Sequence, residues 1–408
     1  MRLLPLAAAV LSASLVAAER PNVIWILADD LGYGDPGCYG GSIPTPAIDR
    51  LAADGVRATA AYAAPVCTPT RASMLTGRYA HRFGMGGALM GHNAPGFAGA
   101  VTAAAVLGRA GYATALVGKW HLGYAAPCRP TDMGFATFFG HLGGKIDYFT
   151  YVDSAQGGKR DLWDGTEADT TTTGYSTDIF TERAERFIAA NAKQPFFLFL
   201  AYNAPHYGGA SGVQARPEDE QRFPKLKKRA TYAAAVARMD DGIGRVMAAL
   251  TASGAAQRTL VVFASDNGPS GGDGTTPFAG KKAGAGEGGV RVPLVAQWPG
   301  QIPAGTTCDQ PIHAIDWLPT ACAATRVPPP SAQDGVDVLP ALSGQQKIAE
   351  RTLLIVPKVA VVRGTWKMNE GHLYDLAKDP REERDQAPSN PEMVAILQRD
   401  LLRLSEKR

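Results

Sequence analysis

Short unbroken apolar runs alternate along this chain with longer stretches whose apolar residues recur at helical spacing. The runs are Asn22-Val-Ile-Trp-Ile-Leu-Ala28, Tyr112-Ala-Thr-Ala-Leu-Val117, Pro195-Phe-Phe-Leu-Phe-Leu-Ala-Tyr202 and Thr259 to Ala264. A strand that is apolar on every side chain needs cover on both faces, so these runs predict the inner strands of a parallel sheet. Helices are predicted over Pro46 to Asp54, Val101 to Ala110, Thr177 to Asn191 and Lys227 to Leu250. In the last of these, Tyr232, Ala235, Val236, Met239, Ile243, Val246, Met247 and Leu250 form one stripe that reads as core. A further helix is expected from His313 to Ala324, and Pro328-Pro-Pro330 marks a linker. Beyond it lie short strand candidates (Leu353 to Val356, Val359 to Val362), a Gly364-Thr-Trp-Lys367 turn and a charged final helix. The pattern predicts an α/β fold, a large mostly parallel (mixed) sheet flanked by helices, with a small C-terminal α+β subdomain. We place the main domain at 19–345 and the subdomain at 346–408.

Polar groups follow each apolar run: Asp29-Asp30, Lys119 and His121, Asn203-Ala-Pro-His206, and Asp266-Asn267-Gly268. Ligands of open parallel sheets bind outside the carboxyl ends of the strands, so these groups should converge on one pocket. Adjacent aspartates repel each other beside a buried strand, and a hard cation would remove that cost, although a solvated loop or helix cap also accommodates an Asp-Asp pair. Lys119 and His121 stand two apart and project to one side if the chain stays extended there.

The stretch Pro65-Val-Cys-Thr-Pro-Thr-Arg-Ala-Ser-Met-Leu-Thr-Gly-Arg78 predicts a short helix, with Thr68 as N-cap, Pro69 at the first helical position and Gly77 as C-cap. Cys67 would then stand at the positive end of that helix, where backbone N–H groups and Arg71 favour an anion. Cys67 reads either as a buried or disulfide-bonded cysteine or as a thiolate nucleophile, the latter requiring a nearby histidine.

Composition narrows the setting. In 408 residues the formal charge is only +3, which points to neither nucleic acid nor an anionic membrane as partner. Met1 to Ala18 reads as a signal peptide, with Arg2 ahead of an apolar stretch and small residues at its end. We therefore expect a secreted or periplasmic protein without a membrane anchor in its mature form. The five cysteines are Cys38, Cys67, Cys128, Cys308 and Cys322. Setting Cys67 aside leaves an even set, in which Cys308 with Cys322 is the most local of three possible connectivities, none of them fixed by sequence. No Cys-x-x-Cys pair suggests zinc, and the glycine-rich stretch 271–289 lacks a nucleotide-binding motif.

Cys67-Thr-Pro-Thr-Arg71, followed by Ala-Ser-Met-Leu-Thr-Gly77, resembles the maturation signature of type I, formylglycine-dependent sulfatases of the arylsulfatase kind. Further segments match that family in order: Asp29-Asp30-Leu-Gly-Tyr-Gly, Gly118-Lys-Trp-His-Leu-Gly, Ala204-Pro-His206, and Asp266-Asn267-Gly with Lys282 ahead of Glu287-Gly-Gly-Val-Arg291. The resemblance runs from Pro21 to roughly Asp385 and includes Leu373-Tyr-Asp-Leu-Ala-Lys-Asp-Pro380. It implies an alkaline-phosphatase-like fold and a sulfuric-ester hydrolase whose Cys67 is converted to formylglycine by a maturation enzyme. Asp29, Asp30, Asp266 and Asn267, with residue 67, would hold one calcium ion. Arg71, Lys119, His121, His206 and Lys282 would surround the sulfate. Of the two adjacent lysines, Lys282 fits the family's spacing to Glu287, and Lys281 reads as solvated charge. His206 aided by Lys282 would serve the leaving oxygen, and His121 would take the proton that releases sulfate. The Gly140 to Phe149 segment resembles sugar-sulfatase members, which makes sulfated carbohydrate the expected substrate, with a small aryl sulfate as the alternative. A phosphonate or phosphodiester hydrolase of the same superfamily, and a binding protein that keeps Cys67 as a thiol, are the competing functions. Thr70 stands where serine is frequent, and Tyr207-Gly-Gly follows His206 where a proline often comes two places later. That second departure alters a loop expected to line the substrate pocket.

Overall fold

The computed structural model describes residues 20–91, 96–209, 212–271, 274–357 and 359–406. The signal-peptide expectation lies outside them. Five parallel strands form the centre of a 10-stranded sheet, in the order Thr259–Ser265, Asn22–Ala28, Phe196–Ala201, Ala113–Lys119 and Thr137–His141. The four apolar runs are all inner strands. Thr137–His141, beside them, carries two phenylalanines in a run too short to stand out in the sequence.

Side-chain alternation divides the core in two, as a pleated strand covered on both faces requires. Val23, Trp25 and Leu27 pack with Phe197 and Phe199 against helices Cys67–Thr76, Ala103–Arg109 and Trp317–Thr325. Ile24 and Ile26 face Leu198 and Leu200 on the other side, under helices Pro46–Ala53, Ser176–Ala190 and Ala230–Ala252. The predicted stripe of the last helix is largely buried, although Tyr232 and Met247 lie at its edge. Its Asp240, which the stripe omitted, accepts from the N–H groups of Ala47 (2.9 Å) and Ile48 (2.8 Å) and so caps the Pro46 helix.

Strands paired antiparallel to their neighbours extend the sheet on both sides, making it mixed: Leu294–Gln297 and then Val56–Ala58 on one flank, Trp163–Asp164 and then Glu167–Ala168 on the other. The expected helix from His313 instead starts with a two-residue strand, Ile312–His313, and a 3₁₀ turn, and becomes α-helical at Trp317. The His313 imidazole accepts from the Ile315 N–H while Asp316 accepts from the His313 N–H, a reciprocal cap that holds this entry.

At the C-terminal end a four-stranded antiparallel meander, Thr352–Ile355, Ala360–Arg363, Trp366–Asn369 and His372–Asp375, precedes helix Pro391–Ser405. The expected turn at Gly364 to Lys367 is shorter: Gly364, with φ +57°, and Thr365 turn the chain, and Trp366 and Lys367 belong to the third strand. One face of this sheet packs on Ala60, Tyr62 and Val290, the other on Tyr79, Ile315 and Leu397. All five cysteines are unpaired. The expected even set therefore forms no disulfide, and Cys308 and Cys322 are separate members of one apolar core. No helix among the described residues is long and apolar enough to cross a membrane.

Candidate active site

Strand register brings the predicted polar groups to one edge. Ala28 pairs with Ser265, and Gly118 pairs with Ala201, so Asp29, Lys119, Asn203 and Asp266 leave the sheet at nearly the same level. The Lys119 ammonium donates to Asp29 Oδ2 at 2.5 Å. The Arg71 guanidinium donates to Asp266 Oδ2 through both Nε (3.1 Å) and Nη2 (2.9 Å), to the Lys119 carbonyl through Nη1 (3.0 Å), and lies 3.8 Å from Asp29 Oδ2. The Asp30 N–H donates to Asp266 Oδ1 at 3.2 Å. Asp30 Oδ1 accepts from Asn267 Nδ2 (2.7 Å) and Lys282 Nζ (2.6 Å), and the Ser270 hydroxyl donates to Oδ2. His206 Nε2 stands 3.7 Å from that same Oδ2.

Helix Cys67–Thr76 starts two residues earlier than the sequence suggested, with Val66 rather than Thr68 as N-cap and Pro69 inside the first turn. Proline is tolerated there because the first N–H groups of a helix have no intrahelical partner. Thr68 instead accepts from the Leu89 N–H (3.0 Å) and donates to the His121 carbonyl (3.3 Å). Gly77 caps the helix as expected, with φ +67°. Cys67 is thus the first helical residue, 3% exposed, with its Sγ 3.2 Å from His121 Nδ1.

His121 does not extend from Lys119 as predicted. Its φ of +60° turns the chain, sending the ring to Cys67 while Lys119 reaches Asp29. The other ring nitrogen, Nε2, lies 3.0 Å from the Leu89 carbonyl, which only accepts. Neutral His121 therefore carries its proton on Nε2 and presents a bare Nδ1 to residue 67. By the same logic His206, whose Nδ1 lies 2.9 Å from the Tyr207 carbonyl, presents a bare Nε2 toward Asp30.

Burial dominates the electrostatics. It pushes the His121 proton affinity down to about 3, with Lys119 adding to the effect. His206 is also held neutral by burial, against the opposing pull of Asp30. Burial raises Asp29 despite Lys119 and Arg71, and raises Asp266 with Asp29 adding to it. Asp30 is buried too, but the Lys282 ammonium and the Ser270 hydroxyl on its carboxylate outweigh that and keep it ionised. Lys282 stays charged, because Asp30 more than offsets its own desolvation.

The donor set suits a hard cation. Asp29, Asp30 and His206 place ligand atoms within 4.8 Å of one another, and two buried oxygens, Asp29 Oδ1 and Asn267 Oδ1, have no hydrogen-bond partner. Unpaired buried oxygens beside clustered carboxylates are what an oxygen-liganded ion satisfies.

Some contributors escaped the sequence reading. Ser270, three residues past Asn267, was legible as another polar group after a strand. The Leu89 and Tyr207 carbonyls, which fix the histidine tautomers, carry no side-chain signal. Gly144 packs against the His121 ring, where an added Cβ would lie 2.7 Å from Nε2. His141, in the segment that resembles sugar sulfatases, is wholly buried at the register position of Lys119. Lys281 is exposed, as expected.

The family model for Sulfatase matches residues 21–327. Arylsulfatase J of Mus musculus is 34% identical over 345 residues, covering 81% of this chain and 57% of its own length. Arylsulfatase A of Homo sapiens is 34% identical over 400 residues (88% of this chain, 75% of its own), and N-acetylgalactosamine-6-sulfatase of Sus scrofa 33% over 390 (88% and 72%). The solved structure of Ps i-CgsB in complex with k-i-k-neocarrahexaose superposes with a TM-score of 0.88 at 33% identity, covering 95% of this chain and 93% of that one. The family match takes in every polar group at the sheet edge, and the structural match covers 95% of the chain: this chain belongs to the sulfatase family.

Proposed function

We propose that this sulfatase cleaves sulfate monoesters of carbohydrate, using a formylglycine made from Cys67 and one calcium ion, in an exported form released from its first eighteen or so residues. The observation that carries the reading is the bare Nδ1 of His121, 3.2 Å from the side-chain atom of residue 67. The Cys67 sulfur stands in for the oxygen a formylglycine would carry. A thiol enzyme would also use a histidine there, but the three carboxylates and three cations beside it serve no thiol chemistry and suit a cation with an anionic ester.

As a hydrated aldehyde, residue 67 would supply both the attacking oxygen and a second hydroxyl. His121 Nδ1 is the base for that second hydroxyl, and taking its proton expels sulfate and restores the aldehyde. Arg71, fixed by its two bonds to Asp266, holds positive charge one helical turn from residue 67, where developing charge needs it. Lys119 and Lys282 each end in a flexible stem with one carboxylate partner, so both can turn to sulfate oxygens. Lys282 is the charged donor on the leaving-oxygen side, and His206 Nε2 joins it once an anionic substrate raises its proton affinity. Asp29, Asp30, Asp266, Asn267 and residue 67 would hold the calcium, which supplies positive charge to the sulfate oxygens.

Carbohydrate is favoured because Ps i-CgsB was solved with an oligosaccharide and the Sus scrofa relative is named for an amino sugar. The test is sulfate release from a panel of sulfated sugars, alongside nitrophenyl sulfate and phosphate diesters, with peptide mass analysis of residue 67 in the same preparation. We expect an aldehyde at residue 67 and turnover of at least one sugar sulfate. Full activity with an intact thiol, or faster diester hydrolysis, refutes the proposal.

A further inference from the structure

A buried charge cluster at the C-terminal meander takes no part in the mechanism. Lys367, on strand Trp366–Asn369 of the C-terminal meander, is completely buried. Its ammonium donates to Glu287 Oε1 at 2.8 Å and lies 3.1 Å from Glu382 Oε1. Glu287 is equally buried, and its other oxygen accepts from Arg291 (2.9 Å) and the Tyr62 hydroxyl (3.1 Å). Glu382 Oε2 accepts from the Glu287 N–H at 2.6 Å. Two carboxylates and two cations thus balance at the seam between the meander and the main sheet, and removing one leaves an uncompensated buried charge.

This cluster ends the loop that carries Lys282. The Lys282 N–H donates to the Pro269 carbonyl (3.0 Å), and the Ala283 N–H to the carbonyl of Pro65 (2.7 Å), two residues before Cys67. Farther along, the Gly288 N–H closes back onto Ala279 (2.7 Å) and the Gly289 N–H onto Gly286 (2.8 Å). A Cβ at Gly288 would lie 2.6 Å from the Gly280 carbonyl, and one at Gly289 2.4 Å from that of Lys281, so the loop has no slack. A shift at Glu287 is therefore passed to Lys282 rather than absorbed between them.

We propose that Lys367 is a positioning residue for Lys282: by holding Glu287 and Glu382 from the C-terminal meander, it fixes the loop that delivers the Lys282 ammonium to the reaction centre. The inference rests on the leaving-oxygen role proposed for Lys282. Misplacing a reacting group by about 1 Å costs on the order of 10²-fold in rate.

The test compares Lys367→Met, Lys282→Ala and the double variant on a sugar sulfate and on nitrophenyl sulfate, with rates normalised to the aldehyde content of residue 67. We expect Lys367→Met to lower kcat on the sugar sulfate by roughly 10–100-fold, with KM little changed and a smaller loss on nitrophenyl sulfate. The double variant should be no slower than Lys282→Ala alone. Equal losses on both substrates, together with losses that multiply in the double variant, show a merely structural role and overturn the proposal. If Lys282→Ala itself is blind to the leaving group, the role of Lys282 fails, and the positioning claim is decided by the coupling in the double variant. Should Lys367→Met not fold, Glu382→Gln carries the same comparison, because it keeps an acceptor for the Glu287 N–H while weakening the hold on Lys367.

Discussion

Replacing His121 by Gln tests the step on which the proposed cycle depends. The wild-type ring is buried, with its proton committed to the Leu89 carbonyl and its lone pair 3.2 Å from residue 67. Gln offers an amide of no useful basicity while keeping much of the volume, so the packing against Gly144 changes little. A positioned base contributes ~10²–10⁴-fold, equivalent to ~3–5 kcal/mol of barrier. The cations beside it, Lys119 and Arg71, are no bases while they pair with carboxylates, and His206 belongs to the Asp30 side. The loss should therefore fall near the upper part of that range.

The loss should also fall on one half of the cycle. Ester cleavage does not need the His121 base, whereas release of sulfate does. Rapid mixing of His121→Gln with nitrophenyl sulfate should give a burst of one phenol per aldehyde, followed by very slow turnover, and intact-protein mass analysis should find sulfate on residue 67. Because burial keeps the His121 proton affinity at about 3, the wild-type base form persists well below neutrality, so this step should not impose an acid limb near pH 6. A variant that is slow from the first turnover, with no burst and no adduct, would refute the assignment.

Three other outcomes are expected. His206→Ala should slow a sugar sulfate far more than nitrophenyl sulfate, whose phenolate needs little protonation, and equal losses would contradict its place at the leaving oxygen. Asp266→Ala removes an expected metal ligand and both side-chain anchors of Arg71 at once, so calcium binding measured by calorimetry and activity should vanish together; undiminished calcium affinity would exclude Asp266 from the ligand set. His313 is buried far from this chemistry, with its proton affinity held at about 4, against ~6.5 in an unfolded chain. The unfolded state then gains a proton that the folded state refuses, so stability is complete above pH 6.5 and is lost as the pH falls toward 4, by about 2 kcal/mol at pH 5. Denaturant titrations of His313→Asn at pH 7 and pH 5 should show that much less acid sensitivity, and an unchanged pH dependence would sink the argument.

The sheet was legible because burial on both faces writes itself as continuous apolar runs, as in Asn22–Ala28 and Phe196–Ala201. The antiparallel additions were not, because Val56–Ala58 and Trp163–Asp164 are too short to establish a period against their surroundings. Lys367 was misread as a turn residue for a related reason: a lysine usually marks solvent, and only the carboxylates of Glu287 and Glu382, distant in sequence, make its burial tolerable. The disulfide expectation weighed the parity of the cysteines without knowing their distances, and Cys308 and Cys322 pack as small apolar groups instead.

The candidate site was legible by type but not by conformation. Asp30 and His121 both adopt the left-handed region, with φ of +68° and +60°, immediately or shortly after a strand ends. Neither is glycine, so nothing in their identity announces the turn, and each conformation costs about 1–3 kcal/mol that its surroundings must offset. They do so visibly. Asp30 is held by its own N–H on Asp266 and by Asn267 and Lys282 on its carboxylate, and His121 by Leu142 on its N–H, Thr68 on its carbonyl and Leu89 on its ring. Two strand ends that would carry their side chains straight outward are thus bent, turning Asp30 toward Lys282 and His121 toward Cys67. The residue types needed for the chemistry are written in the sequence, whereas their convergence depends on backbone turns that only the neighbouring chain segments enforce.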